Sequence, residues 1–177
     1  MRLGLVLAAG AATRFNHKLM LHTPDAKPLV CSAISVAQRY CDVVKVLVRP
    51  GPVMTYLKGR VQLVEQRHGE MMDGIRQVFD GDTTVYFGDC WYPRNFNLDL
   101  GEATVWHGHD QLDGFANGAW VPRGEPHLYD FLGAVRSCVY PTQNSIVDYL
   151  NAIKAVPKFF NGVIDVGVPG QYERLWL

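Results

Sequence analysis

The chain has no net charge: 17 Lys plus Arg balance 17 Asp plus Glu over 177 residues. Global charge therefore gives no pull toward nucleic acid or an anionic membrane, and any affinity for phosphate must come from local placement. The four tryptophans are scattered, with no basic–aromatic interleaving of the kind that seats single strands. No apolar stretch approaches the ~20 residues of a membrane span. The N-terminal apolar run is too short for a signal h-region and has no convincing cleavage site behind it. Cysteine is sparse, at Cys31, Cys41, Cys90 and Cys138, without a Cys-x-x-Cys pair. These read as reduced thiols of an intracellular protein, so a cytoplasmic chain is expected. There is no Gly-x-Ser-x-Gly elbow and no nearby Cys–His pair. Repeats, linkers and low-complexity segments are also lacking, so 1–177 reads as one domain.

What is present is a globular composition, 48% apolar and 19% charged. Residues 3–8 read as a buried strand. Pro28 to Tyr40 has helical spacing, with Pro28 in the first turn. Asp42 to Val48 reads as a second strand, stopped by Pro50-Gly51-Pro52, and Val61 to Glu65 as a third. A helix over Met71 to Phe79 and a strand over Thr83 to Phe87 follow. That order, strand–helix–strand–strand–helix–strand, predicts an α/β fold with a mostly parallel central sheet and helices on both faces. Further on, Ala103 to His107 and Gly118 to Val121 read as strands and His127 to Val135 as a helix. Ser145 to Ala155 is a clearer helix, capped by Asn144 or Ser145. Phe159 to Ile164 reads as a last strand and Gln171 to Leu177 as a terminal helix.

Ligands of such sheets sit beyond the carboxyl ends of the strands. Two segments fall there, Gly10–Lys18 and Gly88–Asp89, and they are expected to face one pocket. In the first, Ala8-Ala9-Gly10-Ala11-Ala12-Thr13-Arg14 and Lys18 join small residues to two cations. Small side chains let backbone N–H groups approach an anion, and Arg14 and Lys18 add charge. The alternative is a solvated loop. With one glycine, the loop is neither a Walker A loop nor a dinucleotide fingerprint. Asp89 and Asp165 each end an apolar run. Two carboxylates at strand ends suit Mg²⁺, which takes one or two carboxylates plus phosphate oxygens and water; the alternative is that each caps a turn. His107-Gly108-His109-Asp110 has no matching ligand group and reads as a solvated loop rather than a zinc site.

The strand followed by Leu7-Ala8-Ala9-Gly10-Ala11-Ala12-Thr13-Arg14-Phe15 and Lys18 resembles the signature of the nucleoside-triphosphate transferases. That superfamily includes sugar-1-phosphate nucleotidyltransferases and molybdenum-cofactor guanylyltransferases. Ala26-Lys27-Pro28-Leu29-Val30 resembles the family's entry into its first helix. Glu65 to Ile75, with Gly69 and Gly74, is similar to the segment that meets the nucleotide base. Val85-Tyr86-Phe87-Gly88-Asp89 resembles the metal-binding aspartate motif, and Ala116-Asn117-Gly118-Ala119-Trp120-Val121 the segment near the acceptor sugar. Val163-Ile164-Asp165-Val166-Gly167-Val168-Pro169-Gly170-Gln171-Tyr172 matches the ending Ile-Asp-x-Gly-Thr-Pro-x-x-Tyr. The resemblance spans nearly the whole chain in the expected order. Departures are Ala12 for the second loop glycine, His17 for the proline before the lysine, Glu70 where many relatives carry Ser, and a short stretch between Asp89 and Asn117.

The resemblance implies a GT-A, Rossmann-like nucleotidyltransferase fold and transfer of a nucleotidyl group from an NTP to a phosphorylated small-molecule acceptor, a sugar 1-phosphate, with release of pyrophosphate. It assigns Asp89 and Asp165 to Mg²⁺, Arg14 to the β- and γ-phosphates, and Lys18 to the α-phosphate and the acceptor phosphate. The backbone of Leu7 to Thr13 and the Gly69–Gly74 loop would seat the nucleotide, and Asn117 and Gly118 the acceptor. Competing expectations are an alcohol or cofactor phosphate as acceptor, a GT-A glycosyltransferase, and a non-catalytic nucleotide-binding module. Base, acceptor identity and oligomeric state are left open.

Overall fold

The computed structural model describes residues 1–10, 17–94, 104–107, 115–116, 119–120, 133–159, 162–167 and 169–177. In chain order the elements are β1 (Leu3–Ala8), α1 (Val30–Tyr40), β2 (Val43–Val48), α2 (Pro52–Leu57), β3 (Gln62–Glu65), α3 (Met71–Val78), β4 (Thr83–Phe87) and β5 (Cys90–Trp91). After these come β6 (Thr104–His107), β7 (Phe115–Ala116), β8 (Ala119–Trp120), β9 (Ala134–Ser137), α4 (Ile146–Ala152), β10 (Val156–Phe159), β11 (Ile164–Asp165) and α5 (Pro169–Glu173).

Seven strands form the main sheet, in the order β10-β6-β9-β4-β1-β2-β3. The run β4-β1-β2-β3 is parallel throughout. β1 lies inside it and is apolar because neither face meets water, the pattern a doubly covered parallel strand requires. Alternate residues divide between two layers. Val6 and Ala8 join Val46, Val48, Tyr86 and the α1 residues Val30, Ala33 and Ala37 in one core. Leu3 and Leu5 join Leu47, Val85, Met72 and Ile75 of α3, and Tyr149 of α4 in the other. The sheet therefore carries α1 and α2 on one face and α3 and α4 on the other, as the alternating pattern predicts.

Three expectations change. Pro52–Leu57 is a helix, not merely a stop. Gly51 precedes it and Pro52 sits at its first turn, where proline's missing N–H costs nothing. It supplies the crossover that parallel β2 and β3 need. Residues 134–135, expected in a helix, open strand β9; residues 127–132 lie outside the described residues. β9 runs antiparallel to both β4 and β6, filling the middle of the sheet. A short apolar run has no periodicity of its own, and burial between two strands decides its state. Finally, Phe159 to Ile164 is not one strand. β10 pairs with β6, while β11 pairs antiparallel with β5 in a separate two-stranded ladder. Ser145 is the cap of α4, its hydroxyl accepting from Asp148 N at 3.1 Å.

Candidate active site

The carboxyl ends of β1, β2, β3 and β4 open into one cavity of about 370 Å³. Leu7 to Gly10, Lys18, Gly88 and Asp89 line it, so the described ends of Gly10–Lys18 share a pocket with Gly88–Asp89. Arg49, Gln66, Glu70 and Met71 form its far end.

Gly88 decides how the aspartate reaches the mouth. Its N–H donates to Leu7 O at 3.0 Å. A Cβ at this position would lie 2.3 Å from that same oxygen. Only glycine lets the chain leave β4 while pressed against the end of β1, and Asp89 follows directly. Lys18 Nζ then reaches Asp89 Oδ2 at 3.0 Å, with the lysine side chain only 15% exposed. Lys18 stands in a single 3₁₀ turn, Lys18–Met20, entered from His17 at φ 56°. A proline, locked near −65°, cannot take that value. The backbone thus accounts for His17 in the place where the resembling family has proline.

Asp165 arrives from the other end of the chain. In the β11–β5 ladder Asp165 faces Cys90, and Val166 N donates to Asp89 O at 2.9 Å. One ligating atom from each of Asp89, Cys90 and Asp165 lies within 4.8 Å of the others. The two carboxylates, far apart in sequence, therefore stand together, with a lysine ammonium on one of them. Hard carboxylate oxygens beside an open cavity are a donor set that fits Mg²⁺. Trp91, next to Cys90, holds this ladder in place: its Nε1 donates to Asp25 Oδ2 at 3.0 Å, and Arg94 Nε donates to Asp25 Oδ1 at 3.0 Å. Below it, Leu29, Val166 and Leu175 form a small separate core with Ile164 and Tyr172.

Gly74 stands elsewhere than the cavity wall. A Cβ there would meet Leu47 Cδ2 at 2.4 Å and Gln66 Oε1 at 2.5 Å, so this glycine lets α3 pack closely on the sheet. Gly69 contributes its carbonyl, which accepts from Arg49 Nη2 at 3.1 Å. Ala11, Ala12, Thr13, Arg14, Asn117 and Gly118 lie outside the described residues. Arg49 and Gln66 were not among the expected site residues. Both directly follow a parallel strand, and the rule that ligands gather at carboxyl ends was sufficient to find them.

No protein-family model and no curated protein matches the sequence. Solved structures do. A Bacillus anthracis protein described as a glucose-1-phosphate thymidylyltransferase, in complex with sucrose, superposes with a TM-score of 0.70 at 16% identity, over 99% of this chain and 94% of that one. The chain has the fold of the nucleotidyltransferases. The inositol-1-phosphate CTP transferase of T. maritima gives 0.61 at 18% identity, over 99% and 95% of the two chains. A UDP-glucose pyrophosphorylase complexed with UDP-glucose gives 0.65 at 15%, over 99% and 97%. The nucleotidyltransferase fold accounts for the mostly parallel sheet and for the site at its carboxyl edge. Among the described residues, no helix is long and apolar enough to cross a membrane.

Proposed function

We propose that the chain transfers a nucleotidyl group from an NTP to a phosphorylated small molecule, a sugar 1-phosphate, and releases pyrophosphate. The observation that carries this is the meeting of Lys18 with Asp89, and of Asp89 with Asp165, beside the Leu7–Gly10 segment at the mouth of the cavity. The solved structures of the same fold include proteins named for transfer to sugar and inositol phosphates, which supports the choice of acceptor.

Asp89 and Asp165 would hold Mg²⁺, which when bound supplies charge neutralisation at the phosphates. Lys18 binds the α-phosphate and the incoming acceptor phosphate, letting two anions approach. Asp89 keeps that ammonium aimed at the cavity until substrate competes for it. Leu7 to Gly10, continuing to Thr13, seats the triphosphate through backbone N–H groups. Arg14 receives the departing β- and γ-phosphates. Asn117 and Gly118 bind the acceptor. A phosphate oxygen is already anionic, so no general base is required, and catalysis rests on positioning and charge.

A pyrophosphate-release assay with each NTP and a set of sugar 1-phosphates tests this. Asp89→Asn and Asp165→Asn should each lower kcat by at least roughly 100-fold with unchanged circular dichroism. Full turnover in both variants, or NTP binding without turnover for any acceptor, overturns the proposal.

A further inference from the structure

The cavity has a cation and a carboxylate at each end, ion-paired only at the first. Lys18 and Asp89 stand at the β4 end; Arg49 and Glu70 stand at the β2–β3 end. Strands lie side by side in the order β4-β1-β2-β3. At ~4.8 Å per strand, Arg49 is roughly 10 Å and Gln66 roughly 14 Å along the sheet from the aspartate. That is the reach from an α-phosphate across a ribose to a base. Leu47 and Met71 give this end apolar walls against which a flat ring can lie.

The polar groups there are not equivalent. Gln66 is 4% exposed. Its Nε2 donates to His68 O at 3.2 Å and to Glu70 O at 2.9 Å, so both amide protons go to the loop backbone. Gln66 clamps residues 66–70 and has no donor left for a ligand. Arg49 spends Nη2 on Gly69 O, the carbonyl immediately before Glu70. The guanidinium has five N–H donors, so the rest of the fork remains available at the end of the cavity that Glu70 also lines. Glu70 is the cap of α3: its N–H donates to Asp73 Oδ2 at 2.8 Å, and its carboxylate accepts the Asp73 N–H in return, which uses one of its roughly four lone-pair sites and leaves the others for a ligand.

A donor-only fork next to an acceptor-only carboxylate sorts the bases. Guanine offers two neighbouring acceptors, O6 and N7, and two neighbouring donors, N1–H and N2–H₂. Cytosine offers neighbouring acceptors but only one donor group. Uracil and thymine place their N–H between two acceptors, and the acceptors of adenine are separated by its amino group. Resting on the nucleotidyl-transfer reading above, we propose that this site selects guanine, with Arg49 on O6 and N7 and Glu70 on N1–H and N2–H₂.

Calorimetry in Mg²⁺ with the full chain tests this, using GTP, CTP, UTP, ATP and 7-deaza-GTP. GTP should bind roughly 10- to 100-fold tighter than the other three, the discrimination of a good bidentate pair. 7-Deaza-GTP, which lacks the N7 acceptor, should bind several-fold more weakly than GTP to the wild type and equally well to Arg49→Met. Glu70→Gln should reduce GTP affinity while leaving CTP, UTP and ATP within about twofold. Arg49 and Glu70 are both exposed, so the variants should fold, with a thermal melt as control. Equal binding of all four NTPs, or a guanine preference that survives both substitutions, overturns this inference alone. Binding of none of them overturns the nucleotidyl-transfer reading and this inference with it.

Discussion

Two single residues set the geometry of the lysine–aspartate pair. At Gly88 even a methyl group would collide with the Leu7 carbonyl. Gly88→Ala must either push the end of β1 away or move Asp89 out of the mouth. Overpacking of this kind costs about 1–3 kcal/mol, which should appear as a fall in Tm, together with loss of turnover. A variant with wild-type Tm and turnover would show that the contact is easily relieved. His17 is the second. Its left-handed backbone turns the chain into Lys18. His17→Gly should be neutral or slightly stabilising, since glycine takes positive φ without strain. His17→Pro should unmake the 3₁₀ turn and weaken NTP binding markedly. Calorimetry on the pair of variants separates backbone from imidazole: equal affinity in both would put the effect elsewhere.

At the scale of elements, the parallel half was legible because each strand had to be apolar throughout and each long helix carried its own period. β1, β2, β3 and β4 fall close to their expected bounds. Pro52–Leu57 was hidden by its brevity and by the Pro-Gly-Pro that introduces it, which reads equally as a stop and as a helix start. β9 was hidden for another reason: Ala134 and Val135 are held as strand by β4 and β6, which no local pattern records. The same divide holds for the site. Asp89 and Asp165 could be seen as strand-end carboxylates, but their meeting depends on the β11–β5 ladder, whose two strands have two residues each. Arg49 carried no motif, only a position after a strand, whereas Gln66 lay within the Glu65–Ile75 segment without being singled out.

β9 is also tied electrostatically. Arg136 Nε and Nη2 donate to the two oxygens of Asp82 at 2.9 and 2.8 Å, just before β4 begins. The Arg136 hydrogen bonds hold the Asp82 carboxyl below the usual carboxylate range, against a smaller opposing effect of burial. A lowered folded-state pKa means stability that is present above the unfolded value, near 3.9, and is lost as pH falls through the folded value. Asp82→Asn should cost about 0.5–1 kcal/mol at pH 7, solvent screening included. It should also flatten the acid limb of the stability curve below about pH 4. Chemical denaturation at pH 7, 5 and 3 checks this; an unchanged acid limb would put the pH dependence on other carboxylates.

For the molecule as a whole, the four cysteines are reduced thiols in graded surroundings. Cys138 is exposed and Cys90 is fully buried. Burial raises the thiol pKa of Cys31 and of Cys41, slowing both further. A thiol reagent at pH 8 should therefore modify Cys138 first, Cys31 and Cys41 slowly, and Cys90 only after denaturant is added. Early loss of the Cys90 thiol, followed by mass spectrometry, would mean that the β11–β5 ladder opens in the native state.

That ladder has a consequence for how the activity is assembled along the chain. Among the described residues, those lining the cavity beside Asp89 all fall between Leu7 and Asp89. Asp165 belongs to the last part of the sequence and reaches them through a two-residue pairing and the Val166 N–H. Under the proposed function, holding the nucleotide and completing the carboxylate pair would be tasks of different stretches of polypeptide. Changes that loosen the late stretch would leave a protein that still grips its NTP but no longer turns it over, so the two properties can drift independently under mutation.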